Sequence, residues 1–97
     1  MNSTSEYVAV LQRYKQEHAK QYGIERIGIF GSVALGTHRA DSDVDICVEI
    51  RKPDIFFLIG IRDDLQEIFH RKVDIVRLRE KMNPVLRENI NNTAIYA

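Results

Sequence analysis

Apolar residues at Tyr7, Val10, Leu11, Tyr14 and Tyr22, with His18 on the same face, recur at the 3.6-residue period of a helix. Ser3-Thr4-Ser5-Glu6 ahead of them has capping-box spacing, and Gly23 supplies a stop. From Ile24 to Phe30 the period shortens to two, with Ile27 and Ile29 on one face and Gly28 and Phe30 on the other. Gly31-Ser32 breaks that strand. A short helix opening at Ser32 covers Val33-Ala34-Leu35, and Thr37 to Ser42 is a polar loop. Asp43 to Ile50 reads as a second strand, because Val44, Ile46, Val48 and Ile50 alternate with Asp43, Asp45, Cys47 and Glu49. Pro53-Asp54 opens a helix with the stripe Ile55, Leu58, Ile61, Leu65, Ile68 and Phe69. Val73 to Leu78 is a third strand. Asn83-Pro84, an N-cap followed by Pro at N1, starts a last helix through about Asn91. This succession predicts an α/β (α+β) fold in which helices cover a small sheet.

The chain has 97 residues, enough for one domain spanning 1–97. At 44% apolar and 29% charged residues it can build a core and is not a disordered segment. Net charge is zero and the pI about 6.8, which argues against direct nucleic-acid binding or attachment to an anionic membrane. A nucleotide needs only a local site and stays open. One cysteine, Cys47, forms no internal disulfide and suits a reducing, cytoplasmic setting. The first residues carry no basic and apolar leader, and no apolar run reaches the ~20 residues of a membrane span. Ala94, Ile95 and Tyr96 make an apolar tail, expected to pack on the domain or on another subunit, so an oligomer is open.

The distinctive chemistry lies on the polar side of the second strand. Asp43 and Asp45 are two residues apart, so their side chains leave the same face with Cβ atoms ~6.6 Å apart at ~3.3 Å per residue. Oxygen ligands so spaced suit Mg²⁺, and without a cation the two like charges repel. The alternative is two solvated acids on a wet edge. Asp74 stands in the otherwise apolar run Val73-Asp74-Ile75-Val76, where a carboxylate needs a partner. It either completes a three-carboxylate site or pairs with Arg71 or Lys72. Gly31-Ser32, where a strand turns into a helix, offers backbone N–H groups and a hydroxyl to an anion, or is merely a tight turn. A calcium loop is excluded: Asp41, Asp43 and Asp45 fit positions 1, 3 and 5, but Ile46 and Lys52 stand where Gly and Glu belong. Cys47 reads as a packed thiol whose carboxylate neighbours suppress ionisation. His18, His38 and His70 lack zinc spacing, while His38 and Arg39 lie in the loop before the acids, either reaching a phosphate or solvated.

Taken in order, Ile29-Phe30-Gly31-Ser32, Gly36, Asp41-Ser42-Asp43-Val44-Asp45-Ile46 and Asp74 resemble the DNA-polymerase-β-like nucleotidyltransferase superfamily. With the closing Asn83-Pro84-Val85-Leu86-Arg87-Glu88-Asn89-Ile90 and Ala94-Ile95-Tyr96, the chain is similar to the minimal nucleotidyltransferases along nearly its whole length. The resemblance implies a small mixed sheet covered by helices. It implies that Asp43, Asp45 and Asp74 hold two Mg²⁺ ions, that Asp74 helps activate the attacking hydroxyl, and that Gly31 and Ser32 bind the triphosphate. The implied reaction is attack of a hydroxyl on the α-phosphate of an NTP, with AMP passing from ATP to a partner protein, a HEPN-type toxin for which this chain is the antitoxin. Val33-Ala34-Leu35 stand where many minimal members carry arginines, so part of the positive charge that the resemblance implies near the phosphates is missing; either Arg39 or a partner protein supplies it, or turnover is slow. Two other functions remain beside it: a non-catalytic antitoxin that masks its toxin, and a transferase acting on a small acceptor of the aminoglycoside type.

Overall fold

The Ser3 hydroxyl accepts the Glu6 N–H, and the Glu6 carboxylate accepts the Ser3 N–H, so the expected capping box starts α1 (Thr4–Tyr22). Gly23 ends it in the left-handed conformation at φ +66°. The computed structural model describes residues 3–97, so Met1 and Asn2 of the expected domain and leader readings lie outside the described residues. After α1 come β1 (Ile24–Phe30), α2 (Gly31–Leu35), β2 (Val44–Ile50), α3 (Ile55–Phe69), β3 (Val73–Arg77), α4 (Pro84–Thr93) and β4 (Ile95–Tyr96). Asp54 caps α3 through the Phe56 N–H, and Asn83 caps α4 with Pro84 behind it. Asp43 lies one residue ahead of β2 rather than in it.

The sheet has the order β3-β2-β1-β4. β1 runs antiparallel to β2 and β4, while β2 and β3 are parallel and joined through α3, as a parallel pair requires. α1 and α3 cover one face. There Tyr7 and Leu11 of α1 and Ile61, Leu65 and Phe69 of α3 bury the inward residues of all three long strands. Ile55 and Ile68, expected on the apolar stripe of α3, are instead 62% and 40% exposed, because the buried line follows 61, 65 and 69 at i+4 spacing. Tyr14, also buried, donates its hydroxyl to the Asp64 carboxylate at 2.8 Å. Burial, with Asp64 alongside, pushes that phenol well above the usual tyrosine range.

α4 covers part of the other face, where Ile90 packs on Phe30 and Cys47. The polar side of β2 is therefore only partly wet. Cys47 is fully buried, and its thiol is pushed up by burial itself rather than by the neighbouring carboxylates.

The apolar tail folds back as β4, with Gly28 opposite Tyr96, Ile29 opposite Ile95 and the Ala97 N–H on the Ile27 carbonyl at 2.8 Å. A two-residue strand carries no readable period, which is why the pattern gave only a packed tail. A Cβ at Gly28 would stand 2.9 Å from the Ile95 carbonyl oxygen and from the Tyr96 ring. Gly28→Ala is therefore expected to lift β4 and to destabilise the fold by about 1–3 kcal/mol, the usual range for overpacking. Faster amide exchange at Tyr96 and Ala97 with a lower Tm would register this; an unchanged tail would refute it.

Candidate active site

Pairing of β2 with β3 places Asp45 directly opposite Asp74. Adjacent strands lie ~4.8 Å apart, and residues opposite each other in a parallel ladder point to the same face. Asp45 is two residues before Cys47 and Asp74 two before Val76, so both acids share the α4 side of the sheet, beyond the part that α4 buries. Asp43 stands at the entry to β2. The ends of the strands explain the gathering. β1 finishes at Phe30 opposite Asp45, so the Gly31 turn lies at the edge of the sheet where β2 and β3 begin.

Gly31 has φ +71°, a left-handed conformation that favours glycine. A Cβ there would collide with the Asp45 carboxylate, so the bare backbone is what lets that side chain lie against the turn. The Gly31 N–H is not free, as an anion site at this turn would have it. It donates to the Thr93 hydroxyl at 2.9 Å. No hydrogen bond among the described residues engages the Ser32 hydroxyl, which is half-buried beside it. Thr93 was not singled out by sequence reasoning. Its partner is 62 residues away and no spacing rule connects them.

The electrostatics set Asp45 apart from a solvated edge residue. Asp45 is half-buried and accepts no hydrogen bond from the described residues. Its carboxyl is raised above the usual range, first by burial and then by the negative charge of Asp74 and Asp43. Neither cation expected to neutralise Asp74 does so: Arg71 donates to the Tyr7 hydroxyl at 3.0 Å, and Lys72 lies 3.9 Å from Asp43. His38 of the loop packs edge-on against Tyr7 with ring centroids 5.8 Å apart. Arg39 is exposed, and its backbone pairs with Ser42.

Asp45 and Asp74 on one face, with Asp43 at the entry to β2, offer the all-oxygen, hard donors that Mg²⁺ takes. As the side chains stand, no three His, Cys, Asp or Glu among the described residues surround a common point. Asp43 is in contact with Lys72. That pair is exposed on both sides and holds it by no more than ~1 kcal/mol. The donor chemistry suits the ion, and a cation between these acids would offset the repulsion that adds to burial in raising Asp45. A hollow of about 490 Å³ between the start of α3, β3 and α4 includes none of the three acids in its lining. Chemistry rather than concavity locates the site.

A mixed-sheet domain that brings carboxylates from two parallel strands to a glycine turn offers the hard oxygen donors that metal-assisted phosphoryl chemistry uses. Residues 11–97 match the family described as Nucleotidyltransferase domain, and this chain belongs to that family. It is 30% identical to a Thermococcus cleftensis protein named protein adenylyltransferase MntA, over 99% of this chain and 97% of that one. A solved structure provisionally described as a minimal nucleotidyltransferase superposes with a TM-score of 0.75 at 29% identity, covering 96% and 94% of the two chains. A complex of an AMPylated Shewanella oneidensis HEPN toxin with its MNT antitoxin shares the fold at 21% identity, with a TM-score of 0.59 and coverage of 88% and 69%. Among the described residues, no helix is long and apolar enough to cross a membrane.

Proposed function

We propose that this chain, as one nucleotidyltransferase domain over residues 1–97, transfers AMP from ATP to a hydroxyl of a partner protein, a HEPN-type toxin whose antitoxin it is. The observation that carries the catalytic part is Asp45: a half-buried carboxylate with no donor among the described residues, facing Asp74 and lying against Gly31. Names of the relatives support the choice of acceptor and nucleotide. One is called a protein adenylyltransferase, and another is an antitoxin held with an AMPylated HEPN toxin.

In this reading Asp43, Asp45 and Asp74 hold Mg²⁺. The ions would supply Lewis-acid stabilisation of the charge that develops on the phosphoryl oxygens and on the departing pyrophosphate. Asp74, exposed and unpaired with Arg71 or Lys72, faces the acceptor and takes up the proton of the attacking hydroxyl. Ser32 donates its hydroxyl to the triphosphate. Gly31 contributes the absence of a side chain, which lets Asp45 and the nucleotide approach the same stretch of backbone. The balance is one new oxygen–phosphorus bond at the α-phosphate, one broken bond to pyrophosphate, and one proton released from the acceptor. Val33, Ala34 and Leu35 are apolar and offer no charge to the phosphates; that charge falls to Arg39 or to the partner.

Incubation of the protein with labelled ATP, Mg²⁺ and the product of the adjacent gene tests the reading. Label is expected on the partner protein, and only when the metal is present. Absence of label on that protein, with toxin neutralisation intact in cells, would favour masking without catalysis; label on an aminoglycoside instead would favour the small-acceptor function.

A further inference from the structure

The first turn of α2 lacks the usual means of satisfying its N–H groups. Phe30 occupies the N-cap position and has no side-chain acceptor to offer. The acceptor comes from the far end of the chain. Thr93, the last residue of α4, takes the Gly31 N–H at 2.9 Å. The proton of the same hydroxyl goes back to the Asn89 carbonyl at 2.7 Å, one helical turn earlier. With its proton so directed, the oxygen turns a lone pair toward Gly31. Immediately after Thr93 the chain enters β4 and pairs with Gly28 and Ile29, the residues leading into the same turn.

We propose that Thr93 is a positioning residue for nucleotide binding: its hydroxyl fixes the Phe30–Gly31 peptide that leads into the left-handed turn against which Asp45 lies. The role rests on the nucleotidyl-transfer reading of this site. Gly31 has wide conformational freedom of its own, so the turn needs an external tether to remain where Asp45 and a triphosphate can both meet it. Threonine and serine can both make the two hydrogen bonds. Valine matches threonine in shape and can make neither.

The test compares the wild type with Thr93→Val and Thr93→Ser by calorimetric titration with Mg²⁺ and ATP, thermal melts, and amide exchange at Gly31. Thr93→Val is expected to weaken ATP binding on the order of 10- to 100-fold, the scale of losing one hydrogen bond to a charged group. Exchange at Gly31 should quicken in that variant alone. Thr93→Ser should restore both binding and protection to near the wild-type level. A role confined to stability would lower Tm and leave the ATP affinity of the folded protein unchanged. Should Thr93→Val fail to fold, Thr93→Ala gives the same comparison. Wild-type affinity in the hydroxyl-free variant overturns the role, as does tighter binding, which would mean that Thr93 competes with phosphate for the N–H. Equal impairment of Thr93→Ser also overturns it. A wild-type chain that binds no ATP overturns the functional reading and this role together. Normal wild-type binding with an unaffected Thr93→Val overturns the role alone.

Discussion

Asp45→Asn is expected to reduce nucleotidyl transfer on the order of 1000-fold or more while making the metal-free protein more stable. The two effects have one cause. Interactions between a carboxylate-held metal and developing phosphate charge supply several kcal/mol, and each 1.36 kcal/mol is a tenfold change in rate. The amide keeps the shape that lies against Gly31 but offers a neutral, weaker ligand. In the metal-free fold the same carboxylate is half-buried and close to the charges of Asp74 and Asp43, so its pKa is raised. A carboxyl raised on folding binds its proton more tightly in the native state than in the unfolded chain. Its contribution to stability is present at low pH and is lost as pH rises from the ordinary carboxylate range through the raised native value. At neutral pH the ionised group is therefore a net cost, and its removal should raise Tm by a few degrees. Mg²⁺ should raise the Tm of the wild type and leave that of Asp45→Asn little changed, because an ion stabilises only the state that binds it. A variant that transfers AMP at the wild-type rate, or a wild type whose Tm ignores Mg²⁺, would remove the metal role from Asp45.

Gly31→Ala should cost both stability and activity, and Gly36→Ala separates the two. Both glycines have positive φ, +71° and +74°, so alanine at either brings a backbone cost of roughly 1–2 kcal/mol. At Gly36 the nearest obstruction to a new Cβ is the Thr4 hydroxyl at 3.7 Å, an ordinary contact. At Gly31 the new methyl would collide with the Asp45 carboxylate. Gly36→Ala should therefore lower Tm by roughly 4–8 °C per kcal/mol lost and retain most of its activity per folded molecule. Gly31→Ala should lower Tm at least as far and also lose on the order of 100-fold in transfer, since Asp45 must move. Thermal melts with transfer assays on the folded fraction decide the matter. Equal activity in the two variants would show that the contact between Gly31 and Asp45 is incidental.

Local rules carried most of the secondary structure. Ser3 and Glu6, Asn83 and Pro84, and the alternation from Val44 to Ile50 each act within a few residues, so their physics is written in consecutive letters. The acids were legible as candidates for the same reason: Asp43 and Asp45 are near neighbours, and Asp74 contradicts the apolar run around it. That Asp74 stands opposite Asp45 depends on the parallel register that α3 sets between two strands. Burial of Cys47 depends on where α4 lands, and the short β4 exists only because the edge of β1 is open to it. The bond from Gly31 to Thr93 joins residues 62 apart through a hydroxyl that no periodicity marks. Spacing along a chain determines which side chains share a face of one element. Which faces and ends then meet is decided by packing of the whole core, and the Gly31 turn is built from both.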